Sequence, residues 1–112
     1  MLSKDLVAAS SRPVVLSVLA RGESYGYAII QQVKELSAEK LLYTDGMLYP
    51  VLHRLEREGL IASRWGKSPT GRKRKYYRIT RDGGNALKTE RAQWLSVQNT
   101  LAQLWGLTPC PI

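Results

Sequence analysis

Residues 44–61 read Thr44-Asp45-Gly46-Met47-Leu48-Tyr49-Pro50-Val51-Leu52-His53-Arg54-Leu55-Glu56-Arg57-Glu58-Gly59-Leu60-Ile61, and the placement of these side chains decides the fold. At about 100° per residue, Leu48, Val51, Leu52 and Leu55 gather on one side of a helix, while Tyr49, His53 and Arg57 gather on the other, with Pro50 and Arg54 alongside. Thr44 or Asp45 starts this helix, and Gly59 ends it as the left-handed C-cap that favours glycine. Pro50 sits deeper than the first turn, which predicts an irregular start. One face is core. The other presents phenol, imidazole and guanidinium groups, which reach phosphates and base edges when an α-helix enters the major groove.

Immediately after this helix the chain forms a basic hairpin. Leu60-Ile61-Ala62-Ser63-Arg64-Trp65 alternates as a strand, the breakers Gly66, Ser68, Pro69 and Gly71 interrupt it, and a second strand-like run extends from Arg74 to Ile79. Eight of the 17 Lys and Arg residues fall between Arg64 and Arg81, with no Asp or Glu among them and with Trp65, Tyr76 and Tyr77 interleaved. The hairpin carries Arg72, Lys73, Arg74 and Lys75 at or near its tip, where they can meet phosphates and release counterions. The plain alternative for any such charge run is a solvated face.

Upstream, Val14, Val15, Leu16, Val18 and Leu19 predict a first helix capped by Ser10 or Ser11, with Pro13 in its first turn and Leu2 to Ala9 as a helical arm before it. Ser24 is the expected N-cap of a second helix that runs to about Leu36, with Ile29, Val33 and Leu36 spaced for burial on one side. Downstream, Thr80 caps a long helix reaching about Trp105, on which Leu87, Trp94, Leu101 and Trp105 fall within about 20° of one line. Gly83-Gly84 reads as a weak first turn or an anion-friendly terminus. A lone helix projecting beyond the domain would leave the apolar stripe wet, so a second copy of the chain is expected to cover it. The pattern is mainly α with a small β-hairpin, a winged helix-turn-helix plus a long C-terminal dimerisation helix. Residues 1–79 form the arm and winged domain, 80–106 the dimerisation helix and 107–112 a flexible tail.

Composition narrows the function classes. A chain of 112 residues forms one domain with a modest core, and its formal charge of +8 suits a polyanionic partner. Cys110 is the only cysteine, so no intramolecular disulfide is implied. No run approaches the roughly 20 apolar residues of a membrane span. Pro13 to Ala20 imitates a signal peptide's apolar stretch, but Arg21 ends it without a cleavage pattern, so a core helix and a cytoplasmic location are expected. His53 is the only histidine, no phosphate-binding glycine loop is present, and nothing pairs a nucleophile with a base. Catalysis, cofactors and metals are not expected.

Three motifs, in order and at matching spacing, carry a family resemblance: Tyr25-Gly26-Tyr27-Ala28-Ile29-Ile30, then Gly46 to Ile61, then Gly71-Arg72-Lys73-Arg74-Lys75-Tyr76-Tyr77-Arg78-Ile79-Thr80. The chain resembles the PadR family of bacterial transcriptional regulators, and its single last helix resembles the short subfamily, including regulators that bind multiple drugs. The resemblance implies a dimeric winged-helix repressor on a palindromic operator in double-stranded DNA. The reading of the residues assigns DNA contact to Thr44, Tyr49, His53, Arg54, Arg57, Arg72, Lys73, Arg74 and Lys75, with Ser24, Tyr25, Tyr27 and Gln31 adding backbone contacts. The same resemblance makes Trp94 a stacking platform for a planar aromatic molecule between two subunits, walled by Pro13, Leu16, Ser17, Val97 and Gln98. Neutral Gln98 stands where drug-binding relatives carry an acidic group, so a neutral or anionic aromatic effector is implied. Two other classes fit the residues: an effector-independent architectural DNA-binding protein, and a winged-helix protein-interaction module.

Overall fold

The computed structural model describes residues 2–107. The elements run α1 (Lys4–Ala20), β1 (Ser24–Tyr25), α2 (Gly26–Leu36), α3 (Asp45–Arg57), β2 (Ile61–Lys67), β3 (Lys73–Ile79) and α4 (Arg81–Leu104). Val15, Leu16 and Leu19 of α1 meet Ile29 and Val33 of α2, Leu48, Leu52 and Leu55 of α3, and Ile61 and Tyr77 of the sheet in one buried core. The third helix therefore buries the face expected of it and leaves Tyr49, His53, Arg54 and Arg57 outside. Thr44 caps it by accepting the Met47 N–H, and Gly59 leaves it at φ 76° while Leu60 N–H closes back on the Leu55 carbonyl.

Two expected helix starts are corrected. The arm and first helix form one continuous helix capped by Ser3, whose Oγ accepts from Leu6 N–H. Ser10 and Ser11 donate their hydroxyls to the carbonyls of Val7 and Ala8 instead of capping, and Pro13 lies inside the helix. Ser24 does not cap α2, because Ser24 and Tyr25 pair with Tyr77 and Tyr76 of β3 as a short third strand. The sheet order is β1-β3-β2, antiparallel throughout. This pairing buries Ser24 and passes the N-cap position to Tyr25, which makes no side-chain cap bond.

The hairpin tip is held by its own side chains. Ser68 N–H donates to the Arg72 carbonyl at 2.8 Å, Ser68 Oγ accepts from Arg72 N–H at 3.1 Å, and Gly71 turns the chain at φ 85°. At the far end of β3, Thr80 accepts from Gly83 N–H and donates its hydroxyl to the Gly59 carbonyl at 2.7 Å, which roots α4 on the junction between α3 and β2. The glycine pair expected to be a weak first turn has a sharper role. A Cβ on Gly83 would collide with the Leu60 carbonyl oxygen, whereas one on Gly84 would meet nothing. From that root α4 packs on α1 and then runs free, drawing the molecule out to 54 Å along its longest axis. The expected tail and Cys110 lie outside the described residues, apart from Leu107.

Candidate nucleic-acid interface

A groove of about 900 Å³ separates α3 from the wing formed by β2 and β3. Tyr49 and His53 enter it from α3, Tyr25, Gly26 and Tyr27 from the start of α2, and Trp65, Arg72, Lys73, Arg74, Lys75 and Tyr77 from the wing. The Tyr49 and His53 rings stand 6.3 Å apart, and the Tyr49 hydroxyl closes over Gly26, where a Cβ would lie 2.5 Å from it. Glycine at position 26 therefore lets the exposed helix dock against the base of α2. Burial at the floor of the groove pushes the Tyr77 hydroxyl above its ordinary range, with Tyr49 and Glu56 adding to the effect.

Strand register divides the basic residues between two faces of the wing. Trp65 lies opposite Lys75, and Lys67 opposite Lys73, on the face shared with Ser63 and Tyr77. There the Lys73 and Lys75 ammoniums stand 5.1 and 5.9 Å from the Trp65 ring centre. Arg64, Arg74 and Tyr76 occupy the alternate positions. The Arg74 guanidinium stacks 3.8 Å over Tyr25, whose ring meets Tyr76 edge-on at 5.9 Å. Arg64 donates twice to Glu23, at 2.7 and 2.9 Å, while stacking 4.7 Å over Tyr76. These Arg64 hydrogen bonds hold the Glu23 carboxyl below its ordinary range. Towards its tip the wing is thus braced by Arg64 and Arg74 on one face and exposes Trp65 and Lys73 on the other.

The remaining sequence-assigned DNA residues lie outside this groove. Ser24 is buried by strand pairing, which removes it from the contacting surface. Gln31 is half-buried on α2, Thr44 is exposed at the start of α3, and Arg54 and Arg57 occupy the exposed last turn of α3. Trp65 is absent from the sequence-assigned site although it lines the groove; it shares a face with buried Tyr77 but lies nearer the tip of the hairpin, where it is 61 % exposed. Ser63 donates to Glu56, fastening β2 to α3 from within the same face.

A second concavity, about 400 Å³, opens between α1, the end of α2 and Trp94 of α4. Pro13 and Ser17 line it, joined by Val14, Arg21 and Leu41 among others, and by Leu36, which is exposed and not buried as its helical spacing predicts. Leu16 does not line it; it is wholly buried in the core. Val97 and Gln98 line a neighbouring hollow of about 290 Å³ with Trp94, Leu101 and Trp105. Leu87, assigned to dimerisation from its place on the stripe, packs half-buried against the chain's own core. Trp94, Leu101 and Trp105 remain exposed, together with Leu95, Val97 and Leu104. Arg12 of α1 donates to Glu58 after α3 at 2.9 Å and to Glu90 of α4 at 3.4 Å. The Glu58 hydrogen bond heads the causes that raise the Arg12 pKa.

Comparison with known proteins agrees with this architecture. Residues 15–89 match the family described as Transcriptional regulator PadR-like. The chain is 36% identical over 88 residues to the transcriptional regulator Rv3488 of Mycobacterium tuberculosis, covering 79% of this chain and 78% of that one. Among solved structures, a transcriptional regulator from Clostridium thermocellum superposes with a TM-score of 0.83 at 29% identity, covering 92% of this chain and 97% of the other. A PadR family transcriptional regulator from Eggerthella lenta superposes with a TM-score of 0.78 at 33% identity, covering 90% of this chain and 86% of that one. These relatives are transcriptional regulators, not enzymes, and no helix among the described residues is long and apolar enough to cross a membrane. With the winged helix, the basic groove and the family match together, the chain belongs to the PadR-like family of DNA-binding transcriptional regulators.

Proposed function

We propose that the chain acts as a homodimeric repressor that binds a palindromic operator and releases it when a planar aromatic molecule occupies a site at Trp94. The observation that carries the DNA half is the convergence of Tyr49 and His53 with the open wing face of Lys73 and Lys75 in one groove. In this reading His53 and Tyr49 address base edges, while Arg72, Lys73, Arg74 and Lys75 take backbone phosphates. Arg54, Arg57 and Thr44 extend the same exposed surface beyond the groove. A two-fold dimer would set two such heads at half-sites one DNA turn apart, or a multiple of it. Support for the dimer is the exposed α4 row of Trp94, Leu101 and Trp105, which leaves large apolar side chains in water on a helix with only Gly83 buried.

The effector half rests on the apolar cavity beside Trp94, whose wall includes Pro13, Ser17 and the cation Arg21. A flat ring gains stacking area on the indole, and Arg21 suits a neutral or anionic compound better than a cationic one. Occupation of this cavity would bias the angle of α4 against α1, and so the spacing of the two wings. Footprinting on DNA selected from a random pool tests the reading, with one protected palindrome expected; uniform coverage would instead indicate an architectural protein. Tryptophan quenching by planar aromatics, absent in Trp94→Ala and accompanied by loss of operator affinity, tests the effector site.

A further inference from the structure

The open face of the wing holds one large group that a purely cationic account of the interface leaves unused. Single exposed aromatics are common on protein surfaces. Trp65 is set apart by what surrounds it. The pleat of β2 aims it to the same side as Tyr77, into the groove, and the register places Lys75 directly opposite. Both ammoniums stand within 6 Å of the ring centre, 5.1 Å for Lys73 and 5.9 Å for Lys75. The two lysines are two residues apart on β3, so their stems leave the sheet about 7 Å apart on one face, a separation suited to neighbouring phosphates of one strand. The turn that carries them is fixed by the Ser68 and Arg72 hydrogen bonds. A preorganised triplet of cation, flat ring and cation matches the repeat of a nucleic-acid backbone, in which each pair of anionic phosphates brackets an apolar sugar.

We propose that Trp65 is the wing's uncharged anchor on duplex DNA, its indole packed against the deoxyribose face while Lys73 and Lys75 pair with the phosphates on either side. The inference rests on the DNA-binding role of the groove and adds to it a contact that reads no base and releases no counterion. Its signature differs from that of every cation nearby. Truncating Trp65 should weaken specific and random duplexes alike without altering the dependence of affinity on salt, because no charge is removed. Truncating Lys73 should weaken binding and also lower the salt slope by about 0.9, the change expected when one fewer phosphate is neutralised.

The test is fluorescence anisotropy of a labelled random-sequence duplex of about 20 base pairs, roughly two turns, titrated across a salt series with the full chain and with Trp65→Ala, Trp65→Phe and Lys73→Ala. For Trp65→Ala, checked for an unchanged melting temperature, the expected loss is roughly tenfold, near the lower end for burying a large apolar side chain. Its salt slope should match that of the parent, and Trp65→Phe should recover most of the affinity. The proposal is overturned if Trp65→Ala binds like the parent, if its loss comes with a shallower salt slope, or if Trp65→Phe is as weak as Trp65→Ala. Failure of the parent itself to bind any duplex would overturn the DNA-binding reading as well, so the two failures are told apart by the parent alone.

Discussion

Gly83 stands so close to Leu60 that a methyl group on its Cα would collide with the Leu60 carbonyl oxygen and lie 2.9 Å from the carbonyl carbon. The first turn of α4 is thereby pressed onto the backbone where α3 gives way to the sheet. Backbone cannot swing aside as a side chain can, so Gly83→Ala is expected to cost about 3 kcal/mol, the upper part of the usual overpacking range. Gly84→Ala meets open space and replaces glycine within a helix, so it should stabilise by roughly 0.5–1 kcal/mol. Urea unfolding of both variants at one fixed protein concentration checks the contrast.

The apolar row on α4 divides at Leu87. Leu101→Ala and Trp105→Ala should each weaken self-association, by roughly 1.5–3 kcal/mol for a side chain fully buried between subunits, which corresponds to about 10- to 150-fold in dissociation constant. Leu87→Ala should instead lower the stability of the chain and leave association nearly unchanged, because Leu87 packs within its own subunit. Light scattering across a dilution series distinguishes the two results.

Contacts to DNA should separate by type. Arg72→Ala should weaken specific and random duplexes by similar factors and reduce the salt slope by about 0.9. His53→Ala should cost about 1–3 kcal/mol on the preferred sequence and little on random DNA, narrowing the gap between them. Equal losses on both duplexes for both variants would refute this division of labour.

The Glu23–Arg64 pair ties the entrance of β1 to the back of the wing, and it is sensitive to acid. The Glu23 carboxyl lies below its ordinary value chiefly because Arg64 donates to it, so the pair is intact above the unfolded carboxylate range and is lost as the pH falls through the lowered folded value. Arg64 Nε–H signals followed by NMR should shift in that acidic window, and in Glu23→Gln the pH response should vanish. The same variant frees one cation, so its affinity for random DNA at neutral pH should rise.

Arg12 ties α1 to Glu58, just after α3, and to Glu90, one turn before Trp94 on α4. The groups are partly exposed, so Arg12→Gln should change stability by less than about 1 kcal/mol. Its larger expected effect is on communication: an aromatic compound that quenches Trp94 should still bind, yet release DNA less effectively. Parallel quenching and DNA-binding titrations on this variant make the comparison.

The elements of this fold were legible where periodicity was strong. Leu48, Leu52 and Leu55 marked the core face of α3, Thr44, Gly59 and Thr80 marked helix ends, and the breakers between Gly66 and Gly71 marked the hairpin. Ser24 misled because a serine before an apolar helix has the composition of an N-cap, while its pairing with Tyr77 depends on residues fifty positions away. Ser10 and Ser11 misled for a related reason, since a hydroxyl that caps and one that bonds back within a helix are the same residue in sequence. The exposed side chains of α3 could be read from helical spacing alone. The separation of Arg74 from Lys73 and Lys75 required the strand register, and Gly83 could not be told from Gly84 until Leu60 was seen against it.

The 24 residues of α4 leave a fixed point at Gly83 and meet α1 along their first half, as far as Glu90 and Trp94. At 1.5 Å per residue the helix is about 36 Å long, so a tilt of about 5° at the glycine sweeps its far end through about 3 Å. The arm works as a lever whose fulcrum is a single missing methyl group, and a displacement too small to disturb the core near Trp94 would still move Trp105 by most of the width of an aromatic ring.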